Sequence, residues 1–253
     1  MSKIPYTGKA PGARQPVQTT SADPLAPAEN IPAELPLLED PDALAARLAE
    51  SEDFVRRNQG ILLGLLGLIV AAIVAGFAFY TWKNTQNQKA QGQLFSAVNY
   101  WESDSLKQAL KGDGKAPGLE TIAGEYASTK AGNLANFYAG VAALKQGNYK
   151  LAYDNLEDFS SDDYLVQARA YALMGDAQLE LNKPKEAADL YAKAATHNAN
   201  EYFSPGYLLK EAVAREEAKD VEGARKAYDR VLTEYSSSPE AAEAKQSRAK
   251  LGE

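Results

Sequence analysis

From Ile61 to Tyr80 the chain reads ILLGLLGLIVAAIVAGFAFY, twenty residues without a charge, an amide or a proline. Wound as a helix, such a stretch is about 30 Å long, the thickness of a bilayer's hydrocarbon core. The core helix of a soluble protein keeps a polar face, and this stretch has none. It predicts a transmembrane helix over residues 60–82. The stretch is too long and too far from Met1 for an ordinary cleaved signal peptide, and Thr81-Trp82-Lys83-Asn84 offers no small-residue cleavage site. An uncleaved signal anchor fits better. Arg47, Arg56 and Arg57 precede it, while Lys83 and Lys89 follow. That bias places the N-terminus in the cytoplasm and the C-terminal part outside. Tyr80 and Trp82 would anchor the outer interface. With no ionisable residue inside the span, proton relay, ion conduction and transport by this helix are not expected.

Before the span, residues 1–39 carry seven of the twelve prolines (Pro5, Pro11, Pro16, Pro24, Pro27, Pro32 and Pro36) and few large apolar side chains. Such a segment cannot bury enough surface to offset its ordering entropy, so it is expected to be a disordered cytoplasmic tail. Asp40-Pro41-Asp42 opens a helix: an N-cap, a proline at the first helical position and an acid in the first turn. Residues 40–59 then form a juxtamembrane helix with a short apolar stripe of Leu44, Leu48, Phe54 and Val55. It is either a docking element or a solvated lead-in, and Glu50, Glu52 and Asp53 weigh against an anionic leaflet as its support. Within the span, small residues recur on one side at Gly60, Gly64, Gly67, Ala71 and Ala75. This is either a packing face for another membrane helix or the ordinary Gly/Ala content of such spans.

The formal net charge of −7 and the lack of a basic block exclude nucleic acid as an expected partner. The chain has no cysteine, which removes disulfides, thiolate nucleophiles and cysteine metal sites. Its one histidine, His197, lies in a polar stretch read as a loop, with no nucleophile or metal-ligand spacing around it. No catalytic residue, cofactor or metal site is predicted.

After the span, residues 83–101 are polar helix formers that could carry the membrane helix straight out of the bilayer. A short helix from Asp104-Ser105-Leu106 to Gly112 and another from Leu119 to Tyr126 follow. Self-similarity begins at Asn133. Three units, Asn133–Phe159, Arg169–Ala194 and Tyr207–Val231, align with one another. Gly140, Gly175 and Ala212 stand at one position and Ala152, Ala187 and Ala224 at a second. Both series step by 35 and then 37 residues. Leu156, Tyr191 and Tyr228 follow one turn after the alanines, and the turns Gly147-Asn148-Tyr149, Asn182-Lys183-Pro184 and Lys219-Asp220-Val221 match too. Antiparallel helices approach closely only where Gly or Ala sits at the crossing. The bulky neighbours are expected to fill the gap to the next pair. These residues resemble the tetratricopeptide repeat, a helix–turn–helix unit. The fold predicted is all-α: one N-terminal membrane helix, then an α-solenoid of three to four helical hairpins over residues 83–253.

A solenoid of this kind lines its concave face with the first helix of each pair. Phe137, Val141, Lys145, Arg169, Ala172, Asp176, Leu209 and Val213 are the residues expected there, a mixed apolar and charged groove for an extended or helical peptide. Repeat-to-repeat packing is the competing role for its apolar members. Phe137 and Val141 stand where related domains that clamp a C-terminal carboxylate would need Lys and Asn.

Taken together, the tail, the single span and the repeats are similar to the YfgM-like proteins, ancillary subunits of the bacterial Sec translocon, and most of all to the forms in Bacteroidota-type bacteria. The matching stretches are Glu125-Tyr126-Ala127-Ser128-Thr129-Lys130-Ala131-Gly132-Asn133-Leu134-Ala135, Phe137-Tyr138-Ala139-Gly140 and Leu208-Leu209-Lys210-Glu211-Ala212. The proline-rich tail is longer than that family's pattern. The resemblance implies an inner-membrane protein with a periplasmic, chaperone-like repeat domain. It also implies association with the Sec translocon, a periplasmic peptidyl-prolyl isomerase partner and binding of unfolded or extended polypeptides. A scaffold for envelope assembly that never touches nascent chains is the alternative.

Overall fold

Good helix formers fill the chain from Asp42 onward, and helices are what they form. The structure, a computed structural model, describes residues 41–252; residues 1–40, with the proline-rich tail and the Asp40 cap, lie outside them, as do Glu253 and the side chains of Pro41, Ala43 and Leu44. Among the described residues there is no strand, only an isolated bridge between Gly112 and Pro117. The first helix, α1 (Pro41–Glu102), runs through both the juxtamembrane and the apolar stretches, because neither a proline nor a capping turn interrupts them. The chain divides into two units at Leu68 and Ile69.

In the first unit, the described part of α1 exposes its large apolar side chains on every side, Leu48, Phe54, Val55, Ile61, Leu63 and Leu68 among them. A Cβ added at Gly60, Gly64 or Gly67 would meet nothing among the described residues.

The second unit begins in the same state and then changes. Ile73, Val74 and Phe77 are exposed, whereas Ala90, Leu94 and Ala97, one helical face further along, are buried. They join α2 (Leu106–Lys111), α3 (Leu119–Glu125) and α4 (Lys130–Lys145) in one core. Asn87 ties the two elements at their start, its Oδ1 accepting a hydrogen bond from Ala131 N at 3.0 Å. Further along, the Trp101 ring meets the mid-α4 Tyr138 ring edge-on at 5.2 Å, and Lys145, the last residue of α4, stands 3.7 Å from Asp104 Oδ1 just past the end of α1. The end of α1 therefore runs parallel to α4.

Three hairpins follow. They are α4 with α5 (Tyr149–Asp158), α6 (Tyr164–Glu180) with α7 (Pro184–His197), and α8 (Ser204–Glu217) with α9 (Val221–Glu234); α10 (Glu240–Lys250) packs on α8 and α9. Their turns share one device. Gly147, Asn182 and Lys219 adopt positive φ of 76°, 58° and 61°. The next N–H in each case reaches back five residues, from Asn148 to Ala143 O, Lys183 to Gln178 O and Asp220 to Arg215 O. This left-handed cap satisfies the orphan carbonyls at a helix end. Asp104, with φ 56° and Ser105 N bonded to Tyr100 O, builds the same cap at the end of α1. The last part of α1 thus serves as the first helix of a further hairpin, with the short α2 and α3 in place of a full second helix.

The crossings explain the small residues. A Cβ on Gly140 would stand 2.5 Å from Leu156 Cγ, and one on Gly175 would stand 2.7 Å from Tyr191 Cε1. Ala152, Ala187, Ala212 and Ala224 are all fully buried. Leu156 and Tyr191 close over the glycine of their own hairpin and also reach the next one, Leu156 sharing a core with Ala170 and Met174 and Tyr191 sharing one with Ala214. A ring can sit flat there only because the glycine presents no side chain.

Candidate protein-binding groove

The first helices α4, α6 and α8 carry the residues predicted to line a groove, and their positions sort by register. The position three before each crossing holds Phe137, Ala172 and Leu209. Phe137 packs against Phe159 with ring centroids 5.0 Å apart. Ala172 is 4% exposed and belongs to the core of the second hairpin, so it does not reach a groove surface. Leu209 is half-buried against the core of the third. The position one after each crossing holds Val141, Asp176 and Val213; the first two are half-buried and Val213 is exposed. An α-helical turn explains the split: residues four apart share a face, but that face sits on the edge between core and solvent.

Asp176, Leu209 and Val213 converge. They line a cavity of about 480 Å³ together with Leu179, Tyr191, Gly206, Lys210, Glu240 and Glu243. Asp176 Oδ1 accepts from Tyr191 Oη at 2.7 Å and from Lys210 Nζ at 2.6 Å, joining α6, α7 and α8. Burial first, and the Asp176 carboxylate second, push the Tyr191 phenol far above its ordinary range, so it stays a donor. The apolar walls are Leu179, Leu209 and Val213. Three carboxylates face one ammonium, and the cavity is acidic.

Four other predicted residues lie elsewhere. Lys145 is held within the chain, 3.7 Å from Asp104 Oδ1 and 5.4 Å from the Trp101 ring centre. Phe137 and Val141 belong to the first hairpin and Arg169 is exposed on α6; none lines the cavity. His197, expected in a loop, is the last residue of α7, exposed and edge-on to Tyr171 at 5.4 Å. Glu240 and Glu243 complete the cavity from α10, an element beyond the three self-similar units of the sequence. The available signal was Pro239 followed by acids and then bases at the other end, the charge order of a helix start and stop.

Hairpin α8/α9 carries the family-model match. Residues 207–238 match a family model of the tetratricopeptide repeat. No curated protein matches the chain. The matched repeat supplies Leu209, Lys210 and Val213 to the cavity, and repeats of this type serve protein–protein interaction. The hairpins α4/α5 and α6/α7 share its turn geometry and crossing register. Charged caps fix its edges: Asp220 Oδ1 accepts from Gly223 N at 2.9 Å and Asp220 Oδ2 pairs with Arg215. Those two contacts, the backbone donor first, hold the Asp220 carboxyl below the usual carboxylate range.

Proposed function

We propose that the chain is a single-span inner-membrane protein whose periplasmic repeat domain binds extended polypeptide segments beside the Sec translocon, without changing them covalently. The observation that carries the binding role is the acidic, apolar-walled cavity between α6, α8 and α10, whose size admits a few side chains of an extended or helical segment. Its charge favours segments in which apolar and basic residues alternate. The apolar stretch supports the membrane anchor, since α1 is long and apolar enough to cross a bilayer and that window is not buried against the chain. The resemblance to YfgM-like proteins supports the translocon and a peptidyl-prolyl isomerase as neighbours.

A photo-crosslinking residue at Val213 tests the binding role in cells. Adducts with extended, exported polypeptides are the expected outcome, and a charge-reversing Glu243→Lys change weakens them. A single fixed folded adduct at Val213 would instead favour the envelope scaffold. Extraction in mild detergent tests the location: Sec components co-purify if the reading holds, and a C-terminal tag is protected from proteases added to the cytoplasmic side.

A further inference from the structure

Large apolar side chains are exposed where a water-facing edge would carry polar ones. Tyr202 is 86% exposed, and Tyr164, Phe203 and Leu165 stand at 52%, 48% and 41%. They are held on built caps. Asn200 Oδ1 accepts from Tyr202 N and Phe203 N at 3.0 and 2.9 Å, and Asp163 Oδ1 accepts from Leu165 N at 2.9 Å. Leu165 and Tyr202 are also equivalent in register, separated by the same 37 residues that separate Gly175 from Ala212.

Their edge is the one from which the apolar stretch leaves. The end of α1 runs parallel to α4, and Tyr80, Lys83, Asn84 and Asn87 share a cavity of about 280 Å³ with Thr129 and Lys130 at the start of α4. Lys130 is the register equivalent of Leu165 and Tyr202, 35 residues before Leu165. Cross-links by hydrogen bond keep the starts of α4, α6 and α8 on that edge: Asn133 Nδ2 donates to Ser160 O just before α6, and Ser204 Oγ donates to Ala195 O near the end of α7. The row Lys130–Leu165–Tyr202 therefore begins beside Tyr80, at the end of the apolar stretch.

We propose that this edge of the repeat domain rests in the interface of the same bilayer that α1 crosses, with Tyr164, Leu165, Tyr202 and Phe203 inserted among the headgroups. The proposal rests on the reading of α1 as a membrane span. Aromatic side chains with an apolar body and a polar tip favour that layer. The source of the attraction is apolar contact rather than charge, because Asp162, Asp163 and Glu201 lie beside the row and would be repelled by anionic lipid. Resting there would hold the acidic cavity at a fixed height above the membrane.

The chain has no cysteine, so single-cysteine variants of the full protein carry one environment-sensitive fluorophore each. Reconstitution into phosphatidylcholine nanodiscs with headgroup-level nitroxide lipid reads lipid contact as loss of emission. Labels at Tyr202→Cys and Leu165→Cys are expected to be quenched and blue-shifted. A label at Lys185→Cys, at the start of α7 on the opposite edge, keeps its emission. Replacing part of the lipid with an anionic one leaves the quenching unchanged or reduces it. A label at Ile73→Cys, probed with nitroxide placed deep in the acyl chains, reports the span itself. Quenching there with none at Tyr202 and Leu165 overturns this proposal and leaves the span standing; no quenching at Ile73 overturns both. A blue shift at Tyr202 in native membranes but not in pure lipid would assign the edge to a protein partner and likewise overturn it.

Discussion

Two stretches of the same helix in the second unit behave oppositely. Between Ile69 and Tyr80, α1 is almost wholly apolar and buries none of it; between Gln86 and Trp101 it is mostly polar and buries Ala90, Leu94 and Ala97. The polar half carries the tertiary contacts because its few apolar residues recur every three or four positions and find a matching stripe on α2, α3 and α4. The apolar half has no stripe to match. Hydropathy measures what avoids water, and only a partner surface decides what covers it. Lipid is the cover proposed for one half, and protein is the cover present for the other.

The comparison is broken or sharpened by paired changes. Leu94→Ala should cost about 2–5 kcal/mol by leaving a cavity in the shared core. A melt of the full chain in detergent, followed by circular dichroism, should fall by about 2–4 °C per kcal/mol. Ile73→Ala in the other half should leave that melt in place; an equal fall would mean that protein, not lipid, covers it. Gly175→Val comes next, at about 1–3 kcal/mol, because the new side chain meets the Tyr191 ring. Gly76→Val, where a Cβ meets nothing, should be silent in the same assay. Asn87→Ala removes the acceptor for Ala131 N and should cost about 1 kcal/mol, the usual worth of such a cap. Amide exchange at the start of α4 would then quicken before any other site.

The smallest effect is a pH dependence. Ala116 N and Lys115 N, with the Tyr100 hydroxyl after them, donate to Asp113 and hold its carboxyl down from 3.8 to about 2. A carboxyl lowered by folding contributes stability above its unfolded value, and that contribution is lost as pH falls from there through the folded value. Asp113→Asn should flatten the acid limb of a melting-temperature profile between those two values by lowering the plateau above them, and match the parent below the folded value. A profile identical to the parent's would show that the loop does not tie α1 to the residues after α2.

Much of the helical layout was legible. Gly147, Asn182 and Lys219 mark the turns, and the two small-residue series place the crossings. A helix pair has only one way to approach closely, and that way demands small side chains at fixed spacing. The groove was less legible. Phe137, Ala172 and Leu209 share a register position, yet Ala172 is buried and Leu209 borders the cavity, because neighbouring helices differ in how far their side chains reach. Glu240 and Glu243 leave little trace in the sequence because α10 is short, polar and rich in alanine, and its place is fixed only once α8 and α9 offer a surface for Ala244.

Local spacing alone determined that the described residues are helical, where the hairpins turn, which positions must stay small, and that one twenty-residue stretch is long and apolar enough to cross a bilayer. Each of those is settled within a turn or two of helix, by sterics and solvation acting on near neighbours. Tertiary structure alone decided that the end of α1 becomes the first helix of the solenoid, that α10 closes the acidic cavity, and that Tyr164, Leu165, Tyr202 and Phe203 share one edge with Tyr80. Those facts depend on residues scores of positions apart, and packing between helices is the only force that brings them together.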